Sequence, residues 1–260
     1  MVKRFEGKVA LVTGAAKGIG ASVVNVFAAE GAHVAMCDID EVGLLERQRD
    51  HDDQGHHVSC HVVDVSDAAE VEKVVHDVFG QFEHIDVLAN LAGVVRYGEL
   101  PEFSVDDWDF VIGTNLRGTF LMCKYVIPCM KLHGGGSIVN TSSVQAYSSQ
   151  ATTAAYSASK GGVASLTRTL AVDHFKDGIR VNAIAPGVIR TPMLMSAANL
   201  FAPDDPEGAI VEWGSHQPIG RPIEPEEVAE VVAFLASESS SCVSGAVYLC
   251  DGGLLAKLAV

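Results

Sequence analysis

The chain of 260 residues carries 18 basic and 33 acidic side chains, a formal net charge of −15, and is 48% hydrophobic with 20% charged residues. That composition excludes a disordered or collagen-like polymer, the length suffices to bury a large core, and the negative field argues against nucleic acid as a partner because it repels phosphate backbones. The longest apolar run, Val231 to Ala236, falls far short of the roughly 20 residues a bilayer span requires, so no membrane partner is expected.

In chain order, Val9 to Thr13 is an apolar run ended by glycines, the pattern of a buried parallel strand. A helix is expected from Gly18 to about Glu30, and a strand over His33 to Cys37. A polar helix follows over about Glu41 to Asp52, then a strand over His57 to Val63. Val71, Val74, Val75 and Val78 recur at helical spacing. Ile85 to Ala89 reads as the fourth strand, Trp108 to Met130 as helix and Ser137 to Asn140 as the fifth strand. Ala155 to Phe175 reads as a long helix, Arg180 to Ile184 as a strand, Glu226 to Ala236 as a helix and Ala246 to Leu249 as the last strand. Repeated βα units predict an α/β fold, a single Rossmann-like, doubly wound parallel sheet of about seven strands with helices on both faces. Met193 to Pro225, rich in proline, reads as an irregular insertion within this one domain, with a short helix around Glu207 to Trp213, and as a candidate substrate lid.

The segment Thr13-Gly-Ala-Ala-Lys-Gly-Ile-Gly20 joins the first strand to the first helix. Gly14 permits a tight turn, Gly18 a close ligand approach and Gly20 helix-to-strand packing, and the helix end then favours a pyrophosphate. Asp38 ends the second strand, where a carboxylate binds the adenosine ribose hydroxyls and repels a 2′-phosphate. NAD is therefore expected as cofactor, although Lys17 offers a cation to that phosphate. Tyr156 and Lys160 stand at i and i+4 on one helical face. An ammonium beside a phenol lowers its pKa, so Tyr156 is expected to accept the proton of an alcohol, with the Ser143 hydroxyl binding the substrate oxygen.

These residues resemble the short-chain dehydrogenase/reductase family over nearly the whole chain. The family's glycine motif is matched by Thr13 to Gly20, its adenine-contacting pair by Asp64-Val65 and its strand-four motif by Asn90-Leu-Ala-Gly93. Its catalytic tetrad is matched by Asn115, Ser143, Tyr156 and Lys160, and its carboxamide-binding motif by Pro186-Gly-Val-Ile-Arg-Thr191. The resemblance implies cofactor contacts from Gly14, Lys17, Gly18, Ile19, Gly20, Asp38, Asp64, Val65, Asn90, Ala92, Gly93, Pro186, Gly187, Ile189 and Thr191. It also implies a water held by Asn115 near Lys160, with Lys160 binding the nicotinamide ribose. Leu91 replaces the family's second Asn, which puts the side-chain support of strand four in doubt.

Substrate is expected over Tyr156, beside Val94 to Gly98, with Gln145, Gln150 and Trp213 as contacts. Ser143 to Tyr147, Val211 to Gly220 and Asp251 to Leu258 are similar to the family's aldohexose dehydrogenases, which implies oxidation of an aldose at C1. A hydroxysteroid or cyclic-alcohol dehydrogenase and a 3-ketoacyl reductase are the alternatives within the family. A protein that senses NAD without turnover is the alternative outside it. The resemblance also implies a homotetramer, with the Tyr156 helix, the Asp107 to Met130 helix and the leucine-rich tail between subunits. The six cysteines form no CxxC pair and read as reduced packing residues. No zinc-type pattern is present, so no metal is expected. With no apolar leader at Met1 to Lys8, the cytoplasm is the expected compartment.

Overall fold

The computed structural model describes residues 3–258. Seven parallel strands, β1 (Val9–Thr13), β2 (His33–Asp38), β3 (Val58–Val62), β4 (Val87–Asn90), β5 (Gly136–Thr141), β6 (Ile179–Pro186) and β7 (Val247–Cys250), form one sheet in the order β3-β2-β1-β4-β5-β6-β7. The order reverses between β1 and β4, which opens a crevice at the carboxyl ends of these strands. Every residue of β1 and β4 is buried, because helices cover both faces of the centre of the sheet.

On one face lie α1 (Gly18–Ala29) and α9 (Pro225–Ala236), which contribute Val23, Val24, Phe27, Val228, Val232 and Leu235 to a core shared with β1, β2 and β4. On the other face α3 (Ala68–Phe82) and α5 (Gly118–Leu132) pack Val71, Val74, Val75 and Val78 against Leu121, Met122 and Val126. α2 (Glu41–Asp52) flanks β3, and α6 (Ala154–His174) lies beside β5 and β6.

Two expectations are corrected. The helix read as starting at Trp108 begins three residues earlier, as α4 (Val105–Ile112), because Ser104 caps it by accepting from the Asp107 N–H at 3.0 Å. It runs into α5 through a π-helical turn, Gly113–Arg117, which carries Asn115. The 193–225 stretch is not irregular. It holds α7 (Pro192–Phe201) and α8 (Pro206–Ser215). Pro192, Pro206 and Pro225 each open a helix, where a missing N–H costs nothing, and Thr191 and Asp205 supply the preceding caps. The helix expected near Glu207 to Trp213 is present as α8, and α7 is the one not foreseen.

Candidate active site

The loop after β1 is built by its glycines. Gly14 (φ +65°) and Gly18 (φ +55°) adopt the left-handed region, and a Cβ on Gly14 would stand 2.8 Å from the Ala92 nitrogen. A Cβ on Gly20 would lie 1.9 Å from the Gly14 carbonyl oxygen, so Gly20 closes the loop on itself. α1 has no side-chain cap at Lys17, whereas α2, α3, α4, α7 and α8 are capped by Asp40, Asp67, Ser104, Thr191 and Asp205. Uncapped amides at a glycine-cleared helix start suit a pyrophosphate. Ile19, half-buried, packs against the core of that face.

Asp38 stands where the sequence placed it, at the end of β2, with Oδ2 accepting from Ala16 N and Oδ1 from Asp40 N, both at 3.0 Å. Lys17 is not free: its Nζ pairs with Asp40 Oδ2 at 2.6 Å. Asp64 holds its own turn by accepting from the Ser66 N–H and hydroxyl, and Val65 is buried under Gly118. The doubt over Leu91 is resolved by Thr13, whose Oγ1 accepts from Leu91 N at 3.0 Å and Ala92 N at 3.1 Å. Backbone pinning replaces the absent side chain, and Leu91 packs against the core. Asn90 is buried, donating to Asn140 Oδ1 at 2.9 Å; it ties β4 to β5.

The tetrad converges from three places: the π-turn with Asn115, the end of the β5 segment with Ser143, and α6 with Tyr156 and Lys160. Asn115, on the π-turn, accepts from Val94 N at 2.8 Å and donates to Val94 O at 2.9 Å and Ser159 Oγ at 3.0 Å. Its amide is fully used in positioning the loop after β4, and its carbonyl accepts from Thr119 Oγ1 at 2.8 Å. A Cβ on Gly93 would stand 3.4 Å from both Asn115 Oδ1 and Lys160 Nζ, so these two groups face the same space beside Gly93. Lys160 Nζ donates to Thr141 O at 2.8 Å and lies 5.6 Å from the centre of the Tyr156 ring. Ser143 Oγ accepts from Gln145 N at 3.1 Å, which leaves its own hydrogen to be donated.

The phenol itself departs from expectation. Burial pushes Tyr156 up to about 12, opposed by a hydrogen bond with Ser143, and burial brings Lys160 down to about 8. Lys160 shares the face of Tyr156, but its ammonium is engaged with Thr141 O and desolvation of the phenolate dominates. The net shift of the phenol in the unliganded chain is upward, with burial its largest cause.

Gln145 is organised by the chain: Oε1 accepts from Thr153 Oγ1 at 2.6 Å and Ser157 Oγ at 3.1 Å, and Nε2 faces Gln150 Oε1 at 3.5 Å. Gln150 is exposed and Trp213 half-buried on α8. Tyr97, on the loop after β4, meets Phe201 of α7 edge to face at 4.9 Å. Sequence reasoning missed Gln217. It is buried and accepts from Val188 N at 2.9 Å while donating to Val188 O at 3.3 Å and Arg221 O at 2.9 Å. It thereby holds Pro186–Thr191 in place; Gly187, whose Cβ would fall 2.5 Å from Gln217 Oε1, and buried Ile189 lie in that segment. Thr191 returns to the glycine loop, with Cγ2 3.3 Å from where a Gly18 Cβ would be. A lone glutamine in a loop carries no signal from which this role could be read. The cleared glycines, the uncapped α1, Asp38 and the 186–191 segment together fit a nicotinamide dinucleotide.

The family model described as enoyl-(acyl carrier protein) reductase matches residues 14–255. The 3-oxoacyl-[acyl-carrier-protein] reductase FabG of Thermotoga maritima is 42% identical over 252 residues, covering 97% of this chain and 99% of that protein. The D-threitol dehydrogenase of Mycolicibacterium smegmatis is 40% identical over 257 residues, covering 98% of this chain and 95% of that one. Among solved structures, the L-sorbose reductase of Gluconobacter frateurii, complexed with NADPH and L-sorbose, superposes with a TM-score of 0.94 at 32% identity, over 99% of this chain and 100% of that one. The ligand-free aldohexose dehydrogenase of Thermoplasma acidophilum gives a TM-score of 0.91 at 33% identity, over 100% and 98% of the two chains. The site and fold define an oxidoreductase acting on CH–OH groups with a nicotinamide cofactor. The chain belongs to the short-chain dehydrogenase/reductase family.

Proposed function

We propose that the protein is an NAD-dependent dehydrogenase of a sugar, oxidising an aldose at C1. The observation that carries the sugar is the Gln145 amide, clamped by Thr153 and Ser157 at one end and open toward Gln150 at the other, two residues from Ser143. A rigid amide beside the reacting centre suits a substrate with a hydroxyl next to the one oxidised. The similarity to a threitol dehydrogenase, a sorbose reductase and an aldohexose dehydrogenase supports the same class.

The dinucleotide supplies the hydride acceptor. Asp38 would hold its adenosine ribose, Gly14–Gly20 its pyrophosphate and Pro186–Thr191 its carboxamide end. Ser143 Oγ, its lone pair engaged by Gln145 N, donates its hydrogen to the substrate oxygen. Tyr156 Oη accepts the alcohol proton, and Lys160 supplies positive charge to the resulting acid–base pair. Burial, with a smaller contribution from Tyr97, holds the phenol up, and the positive charge that an oxidised dinucleotide would bring favours the phenolate.

A 3-oxoacyl reductase is the second reading, favoured by the 42% identity to the FabG protein. Reduced-nicotinamide absorbance, followed across aldoses, sugar alcohols, cyclic alcohols, steroids and a 3-oxoacyl thioester with both dinucleotides, separates the two. Turnover of an aldose with NAD is expected. Selective reduction of the thioester with NADPH would replace the first reading by the second.

We further propose the lid role for α7 and α8 and a homotetrameric assembly. Arg190 ties this region to the site by pairing with Glu207 at 2.9 Å and Glu224 at 3.4 Å. Phe110, Phe120 and Val172 are exposed on α4, α5 and α6 in the single chain, and Leu258 is 79% exposed. Light scattering tests the assembly: a monomeric mass ends that proposal.

A further inference from the structure

The glycine loop, the end of β2 and the start of α2 meet at one corner. A Cβ on Gly43 would stand 2.9 Å from Asp40 Oδ2 and 3.0 Å from Ala16 Cβ, so α2 begins directly against the loop. Asp40 divides its carboxylate between two tasks. Oδ1 accepts from Gly43 N at 3.1 Å and caps α2; Oδ2 binds Lys17 Nζ at 2.6 Å. A cap needs only one oxygen, which Asn or Ser supplies equally well. The second oxygen is therefore free for a different purpose.

Lys17 is the only cation between Gly14 and Gly20, and 62% of its side chain is exposed. Its arm is long enough to sweep the space in front of Asp38, where the adenosine ribose is expected. Asp40, with smaller contributions from Asp38 and Glu46, holds the ammonium above its ordinary range. We propose that Asp40 is a cofactor-specificity residue that acts through Lys17: by engaging the ammonium it withholds the loop's one cation from a 2′-phosphate and reinforces the choice of NAD made by Asp38. This rests on the dinucleotide reading of the site.

The experiment is calorimetric titration of the full chain with 5′-AMP and with adenosine 2′,5′-bisphosphate, probes of the ribose end that need no turnover. Asp40→Asn keeps a capping oxygen and releases Lys17. It is expected to tighten the bisphosphate about three- to tenfold while leaving 5′-AMP within about twofold. Lys17→Ala alone is expected to change bisphosphate binding less than about twofold, because the cation is already engaged, yet to abolish the gain when added to Asp40→Asn. A gain that survives in the double variant would mean that simple removal of a negative charge explains it, and the proposal falls. It falls equally if Asp40→Asn gives no gain, or if Lys17→Ala alone weakens the bisphosphate more than about threefold. Should Asp40→Asn fail to fold, judged by its melt, Lys17→Ala in the native chain decides. The Asp38 assignment is read separately, from the native chain's preference for 5′-AMP over the bisphosphate.

Discussion

Gln217 grips Val188 by both ends of its peptide groups, accepting from its N–H at 2.9 Å and donating to its carbonyl at 3.3 Å across 29 residues of chain. This side chain adds to the backbone pairing of the 186–191 segment, where Gly187 N donates to Cys250 O at 2.9 Å and Ile189 bridges Ile223.

Gln217→Leu should therefore leave the Val188 N–H without its partner, while the Val188 carbonyl keeps the Ile223 N–H at 3.0 Å. The expected cost is about 1–3 kcal/mol, visible as a fall in melting temperature, together with weaker NADH binding. Melting curves and NADH fluorescence titration check it. A variant with native melting and native NADH affinity would remove Gln217 from the site.

Gly20→Ala places a methyl carbon 1.9 Å from the Gly14 carbonyl oxygen if nothing moves. The loop must open, and loss of dinucleotide binding with more than about 2 kcal/mol of destabilisation is expected. Retained binding in titration would show that the loop has room the structure does not give it.

Lys160 sets a pH dependence. Its folded-state pKa of about 8 lies below the ordinary 10.5, so below pH 8 the folded chain carries a buried charge at a cost. Between these values the unfolded chain holds a proton that the folded chain has shed, so stability rises with pH through that window. Lys160→Met should abolish turnover yet raise the unliganded chain's stability at pH 7 by up to about 3 kcal/mol, the gain closing as pH approaches about 10.5. Denaturant melts at several pH values decide; a pH-independent difference between variant and native chain rejects the buried-charge account.

Tyr156→Phe should slow oxidation by about a thousandfold or more while NADH affinity stays near native, because only the proton acceptor is lost. Stopped-flow rates with the substrate found in the panel test this. A rate within tenfold of native would place the proton on another group.

Gln145→Leu should raise KM for a hydroxylated substrate about three- to tenfold with NADH affinity unchanged. An unaltered KM on every active sugar would reduce Gln145 to a brace for Ser157 and Thr153.

Much of this protein was legible in one dimension. Apolar runs broken by glycines and helical spacing are local properties, and they placed the strands to within two residues at each end; the glycine loop and the tetrad were proposed from motif spacing and the family resemblance. The helix from Pro192 to Phe201 was not foreseen because proline favours both breaks and first turns, and only the cap at Thr191 marks this one as a helix start. Tertiary structure alone decided which partner each polar group takes. Asp40 captures Lys17, Thr13 replaces the missing asparagine at Leu91, and Gln217 holds Val188, because these pairs lie 23 to 78 residues apart and meet only when the sheet brings its carboxyl ends together. The same packing decided the ionisation of Tyr156: a lysine one turn away is a local fact, but the loss of water around the phenol belongs to the folded chain.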